Sequence, residues 1–180
     1  MKRYLVFLLV FFTLSKAILS LDSSPEQQAI ILNRRGVAIL ESSPEKALEY
    51  FKQAHSLDKK PARYIVNIGV AHLRRNQHKQ ALYYFKKAVQ SKPNNVRALF
   101  TLGAYYQYIK QYRKAIPLYN KAITLAPKYW KPYNNLGGLY EKLGDKQKAI
   151  SNLKKFIQVA PKYVATHIAD AKRRIRELSK

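Results

Sequence analysis

Apolar side chains between Leu99 and Ile123 fall on two helical faces. Leu99, Leu102, Gly103 and Tyr106 stand at i, i+3, i+4 and i+7, one side of a helix. A break at Lys110-Gln111 follows, and Ala115, Leu118, Tyr119, Ala122 and Ile123 mark a second face. The pattern then recurs along the chain. Gly69, Gly103 and Gly137 are 34 residues apart, as are Ala81, Ala115 and Ala149, and Pro93, Pro127 and Pro161. Tyr106 and Tyr140 keep that step, and so do Leu102 and Leu136, with Ile68 one step earlier. A fixed period of this length means stacked copies of one supersecondary unit, each burying its apolar face against the next. Gly and Ala at the recurring small positions let two antiparallel helices approach closely, while large neighbours fill the gap between pairs. Pro closes each unit because it can start a helix but cannot continue one.

The best-formed copy carries Tyr133, Leu136-Gly137, Tyr140, Gly144-Asp145, Ala149, Leu153, Phe156 and Pro161. The copy before it has Leu99, Leu102-Gly103, Tyr106, Ala115, Tyr119, Ala122 and Pro127, and an earlier one has Ile65, Ile68-Gly69, His72, Ala81, Phe85, Ala88 and Pro93. A weaker first copy reads Leu32, Gly36, Ile39, Ala47, Phe51 and Ala54. These residues resemble the tetratricopeptide repeat family, whose first helix carries a large residue, Leu-Gly and Tyr, and whose second carries Ala, an aromatic, Ala and a closing Pro. The resemblance covers residues 28–163, roughly three quarters of the chain. It implies an all-α fold, a right-handed α-solenoid of about four helix pairs over residues 28–61, 62–95, 96–129 and 130–163. Residues 164–180 then supply a capping helix, with Val164, Ile168, Ala171, Ile175 and Leu178 on one face. The first copy has a Gly36–Ala47 spacing of eleven where the others have twelve, so its inter-helix turn is expected to be one residue short. Pro117 falls near the first turn of a second helix, where it should shift the helix start or bend it rather than break it.

Charge changes the picture from fold to partner. Thirty-four Lys and Arg against ten Asp and Glu give +24, which points to anionic or acidic partners. Lys59 to Tyr140 is a block of 82 residues with sixteen Lys or Arg and no carboxylate. Ordinary solvated helix faces mix the two signs. The resemblance implies that the first helix of each pair lines a concave side. Its outward positions then offer Arg63, Asn67 and Arg74 from the second unit, Arg97, Thr101 and Tyr108 from the third, and Lys131, Asn134 and Asn135 from the fourth. Asn amides can bond an extended peptide backbone while the cations meet its carboxylates. Some relatives clamp a C-terminal carboxylate with Lys, Asn and Arg at five places. Here Asn67 and Arg97 match two, whereas Asn33, Val37 and Thr101 stand at the others, so that clamp is not assigned.

The inventory for chemistry is thin. No cysteine is present, which excludes disulfides, thiolate metal sites and cysteine nucleophiles. No Gly-rich strand-to-helix turn cradles a phosphate, and the repeat absorbs Gly36, Gly69, Gly103, Gly137 and Gly144. His72 holds a repeat core position and reads as a packed side chain. His167 and Asp170 are three apart on the last helix, the spacing of a surface contact. Of the tyrosines, Tyr106, Tyr119, Tyr133 and Tyr140 are packing residues, leaving Tyr105, Tyr108 and Tyr112 as candidates for base stacking. No catalytic residue, metal site or cofactor is expected.

Residues 1–21 open with Lys2 and Arg3, continue with an apolar run from Tyr4 to Leu14, and place Ser15 and Ala17 at the −3 and −1 positions of a cleavage site. That is the layout of a secretory signal peptide, with residues 1–23 as signal or, alternatively, a membrane anchor over residues 4–21. The reading is an exported or envelope-associated, non-enzymatic scaffold that binds acidic or extended peptide segments in a basic concave groove. The alternative is a binder of anionic membrane or cell-wall surfaces. Nucleic-acid binding fits the charge but not an export signal. Mass spectrometry of the natively produced protein should show a new N-terminus at or shortly after Ile18. An intact soluble chain beginning at Met1 would refute export, and an intact membrane-bound chain would select the anchor.

Overall fold

The computed structural model describes residues 23–180, and the proposed signal or anchor therefore lies outside the described residues except at Ser23. Among the described residues there are nine α-helices and no strand. They are α1 (Pro25–Ile39), α2 (Pro44–Leu57), α3 (Ala62–Arg74), α4 (His78–Ser91), α5 (Val96–Tyr108), α6 (Tyr112–Leu125), α7 (Trp130–Lys142), α8 (Lys146–Val159) and α9 (Ala165–Leu178). The chain divides into two compact units, with the boundary inside α4 between Ala81 and Leu82.

In the first unit α1 packs on α2, and α2 on α3. Ser24 caps α1 through a reciprocal box, its hydroxyl accepting from Gln27 N and the Gln27 side chain accepting from Ser24 N. Pro44 starts α2 at a position where no N–H is needed. The core joins Ala29, Ala54 and Tyr64, with Leu32 against them.

In the second unit α5 packs on α6, α7 on α8, and α8 on α9. Asn95 and Asp145 cap α5 and α8 with side-chain oxygens on Ala98 N and Lys148 N. Tyr133, Leu153, Phe156, Val164 and Ala171 form one buried cluster, flanked by Trp130, Ile168, Ile175 and Leu178. The apolar stripe of α9 thus covers the last pair. Each such fully buried large side chain stabilises the fold by about 1.5–3 kcal/mol.

The turns inside the pairs repeat as faithfully as the cores. Asn76, Lys110 and Gly144 stand 34 apart and all take a left-handed backbone, with φ of 56°, 59° and 76°. That conformation lets the next amide reach back to the helix. Gln77 N donates to His72 O, Gln111 N to Tyr106 O and Asp145 N to Tyr140 O, at 2.8–2.9 Å. The first pair lacks this residue. α2 begins eight residues after Gly36, against nine after Gly69, Gly103 and Gly137 for the later second helices, and no left-handed residue lies between α1 and α2.

Pro117 lies inside an unbroken α6, and the helix start is not shifted, since Tyr112 stands 34 residues from the first residues of both α4 and α8. The ring sits on the exposed side of the helix, where the lost amide bond costs least. His167 does not pair with Asp170. Its ring lies 6.2 Å from Trp130, while Arg173 and Arg174 take the Asp170 carboxylate.

The crossing of α5 and α6 leaves no room for a side chain at its glycine. A Cβ on Gly103 would stand 2.9 Å from Tyr119 Cε1, and the Tyr119 ring is fully buried. Gly103→Leu should therefore lower the unfolding free energy by about 2 kcal/mol or more, the upper part of the overpacking range. The exposed Lys128→Gln should change it by less than about 0.5 kcal/mol. Denaturant titration of both variants checks the pair.

Candidate functional site

The nine outward residues divide between the two units, and each set stands by itself. In the first unit, Asn67 is buried and donates from Nδ2 to Asn33 Oδ1 at 2.7 Å, tying α3 to α1. Arg74 brings Nε and a terminal nitrogen to Glu41 Oε1 at 2.9 and 2.7 Å. Arg75 donates from Nε to Glu45 Oε1 at 2.9 Å and from a terminal nitrogen to Gln77 Oε1 at 3.1 Å. Arg63 is exposed and lies over the Tyr64 ring at 5.2 Å. Two of these three sequence-predicted groups are thus engaged in holding helix pairs together.

The second unit presents a fuller site. α5 and α7 touch, and their equivalent positions come in register, Arg97 with Lys131 and Thr101 with Asn135, each pair 34 residues apart. Arg97 and Lys131 are exposed, whereas Thr101, Asn134 and Asn135 are half-buried. Lys131 Nζ stands 5.7 Å from the Trp130 ring. Tyr108 does not join them. It lies eleven residues beyond Arg97, about 16 Å along α5 at 1.5 Å per residue, and packs 6.3 Å from Tyr105. Tyr105 is itself core, 5.4 Å from Phe85, and burial raises its pKa. Tyr112 lines a separate hollow of about 400 Å³ at the α5–α6 turn, with Lys110, Gln111, Arg113, Lys114 and Leu143.

From Asn135 a hydrogen-bond bridge runs to Gln107, further along α5. The Tyr119 hydroxyl donates to Gln107 Oε1 at 2.7 Å and accepts from Asn135 Nδ2 at 2.9 Å. One phenol on α6 therefore fixes polar side chains on both α5 and α7. Burial pushes its pKa up to about 12, with the Asn135 bond pulling the other way. Above it, Phe100 stacks 5.8 Å from Tyr119 and 5.4 Å from Tyr129. Burial raises the Tyr129 pKa too, and the positive charge of Arg97 opposes that rise.

Phe100 is an outward position in the repeat, but Tyr129, Gln107 and the hydroxyl role of Tyr119 do not follow from the sequence pattern. The Tyr129-Trp130 pair directly after the closing Pro127 is the available signal for the first. Past this patch, α9 closes the end of α7. Arg174 pairs with Glu141 at 2.8 Å and with Asp170 at 3.5 Å, and its guanidinium lies against Gly138. Among the described residues no group of His, Asp and Glu could hold a metal ion, and no helix is long and apolar enough to cross a membrane.

Comparison with known proteins agrees with this architecture. Tetratricopeptide repeat profiles match residues 27–96, 96–129 and 118–151. The chain belongs to the tetratricopeptide repeat family. No curated protein sequence matches it. Among solved structures, pilF of Pseudomonas aeruginosa superposes with a TM-score of 0.73 at 22% identity, over 86% of this chain and 72% of that one. A tetratricopeptide repeat protein of Thermus thermophilus gives 0.67 at 18% identity, over 79% and 80%. YrrB, described as a tetratricopeptide repeat protein with an unusual peptide-binding site, gives 0.63 at 23% identity, over 86% and 78%. At these identities the likeness is one of fold, an all-α solenoid.

The Tyr119 bridge has a pH signature. A phenol titrates near 10 when unfolded and near 12 here, so its contribution is whole below pH 10 and is lost as pH climbs to 12. Tyr119→Phe should cost about 1–2 kcal/mol at neutral pH, for two bonds of modest net worth. It should also flatten the alkaline fall in stability between pH 10 and 12. Denaturant midpoints of both proteins measured across that interval check it. Parallel curves would show that the phenol does not carry the shift.

Proposed function

We propose that this chain is an exported or envelope-associated, non-enzymatic scaffold that holds an extended, acidic peptide segment against the α5–α7 face of its second unit. One observation carries the reading. Arg97 and Lys131 flank half-buried Thr101, Asn134 and Asn135 over a floor locked by the Gln107–Tyr119–Asn135 bridge. The lip lies within a stretch that contains no carboxylate from Lys59 to Tyr140.

Such a face suits a peptide in three respects. Exposed cations take carboxylates through charge-assisted bonds, and Asn134, which makes no side-chain hydrogen bond among the described residues, can pair with an extended backbone. The Phe100–Tyr129 ring pair offers an apolar step between them. A floor already fixed by intramolecular bonds lowers the ordering cost of binding. In the first unit, Arg74 and Asn67 are engaged with Glu41 and Asn33, and the proposed acidic contacts are those of Arg97 and Lys131 in the second unit. The solved relative described by its peptide-binding site is consistent with this use of the fold. The charged start, apolar run and Ser15-x-Ala17 support export.

The test is a titration with a fluorescent, extended peptide that alternates Glu with small residues, at two salt concentrations. Arg97→Ala should weaken binding by about 1.5–3 kcal/mol, the range for hydrogen bonds to charged groups. Lys86→Ala and Lys87→Ala, on the exposed side of α4, should change it little. Equal losses at Arg97 and Lys86 would refute a groove and leave only delocalised attraction.

A further inference from the structure

A second surface stands out once the charges are placed. The second helices α4, α6 and α8 contain no Asp or Glu at all. Lys87, Lys121 and Lys155 repeat at a 34-residue step, and Lys86 and Lys154 occupy the adjacent position with Asn120 between them. All six are exposed and all lie in the second unit. None of the five lysines forms an ion pair among the described residues. Lys155 Nζ bonds to Gln158 Oε1 at 2.9 Å, and Lys87 Nζ stands 5.9 Å from the Tyr83 ring.

The acids of this unit are spent elsewhere. Glu141 and Asp170 hold Arg174, Glu177 and Asp170 hold Arg173, and Asp145 caps α8 and holds Lys148. Among the described residues no acid pairs with the lysine rows. Equivalent positions on successive repeats fall on the same side of the stack, so the rows form one cationic face.

We infer that this face docks on the anionic headgroups of a lipid bilayer. The rows contain lysine and no arginine. Lysine is a compact, hydrated point charge on a flexible stem, suited to delocalised attraction, whereas phosphate recognition in nucleic acids favours the arginine fork. The flanking exposed residues are of the kind found at the level of headgroups: Tyr83 on α4, 59% exposed, and Leu125 at the end of α6, 40% exposed. No concave wall encloses the row positions as it would for a peptide, since each is an outward position on a second helix. The basic start and apolar run of residues 2–14 also direct the chain to a membrane, whether cleaved or kept. This surface is separate from the α5–α7 face and does not depend on the peptide reading.

The experiment is sedimentation of the full chain with vesicles of phosphatidylcholine alone and of phosphatidylcholine mixed with phosphatidylglycerol. The N-terminal segment contributes equally to every variant, so the readout is the preference for anionic over neutral vesicles. A combined Lys86→Gln, Lys87→Gln, Lys121→Gln, Lys154→Gln, Lys155→Gln variant should lose at least about tenfold of that preference, since each lysine near an anionic surface adds about fivefold. A control that removes the same charge at Lys110, Lys128, Lys142, Lys162 and Lys172 should lose less than about threefold. Helical circular dichroism and acidic-peptide binding should be unchanged in the row variant. Equal losses in the two variants, or none in either, would overturn the assignment of the face. So would a short DNA duplex that displaces the wild type from anionic vesicles and loses affinity through the same five lysines.

Discussion

The contact between a glycine on a first helix and a large ring or branched side chain on its partner governs this fold. A Cβ on Gly36 would meet Phe51 at 2.6 Å, on Gly103 it would meet Tyr119 at 2.9 Å, and on Gly137 it would meet Leu153 at 2.6 Å. Phe51, Tyr119 and Leu153 are fully buried, so they have nowhere to withdraw. The missing side chain sets the distance between the helices, and that distance brings Ala47, Ala115 and Ala149 into the same crossing. Close packing of this kind leaves no slack for an added methylene. The three later pairs also share one connection, in which the second helix begins nine residues after the glycine, against eight in the first pair. The left-handed residue at 76, 110 and 144 and the carbonyl that accepts behind it supply that connection.

The fold was legible because these constraints act on residue type at a fixed spacing. Gly, Ala and Pro have few substitutes at a close crossing or a helix end, so they recur every 34 residues and show the period. Even the shortened first turn could be read from the Gly36–Ala47 spacing. Site residues have no such signature. Asn67 and Asn134 look alike as outward asparagines, yet the first is engaged with Asn33 and the second has no side-chain partner among the described residues. That difference depends on which side chains from other helices come within 3 Å. Gln107 and Asn135 are bridged by a phenol that lies twelve and sixteen residues from them on a third helix. A packing position that also carries a hydroxyl has the same periodic pattern as one without it.

The bridge gives Tyr119 two structural duties that would otherwise fall to separate residues. Its ring fills the crossing with Gly103, and its hydroxyl orders the polar floor between α5 and α7. A core defect at this position therefore disturbs the surface above it as well. That coupling is local and steric, carried through side chains in direct contact, and requires no second conformation.

Charge follows a division of labour between the two basic side chains. The ion pairs that cross between helices or turns use arginine: Arg74 with Glu41, Arg75 with Glu45, and Arg174 with Glu141. The lysine pair, Lys148 with Asp145, is local to one helix start. Arginine's planar fork satisfies a carboxylate with two donors in fixed geometry, so it suits a contact that must hold a repeat in place. With these acids already taken up, Lys86, Lys87, Lys121, Lys154 and Lys155 have no ion-pair partner among the described residues and remain in water. Five charges of the positive excess thus fall in rows on the second helices, while others, such as Arg97 and Lys131, stand exposed on first helices. A net charge of +24 would oppose compaction if the cations crowded the core. The cations at exposed positions leave the apolar crossings undisturbed.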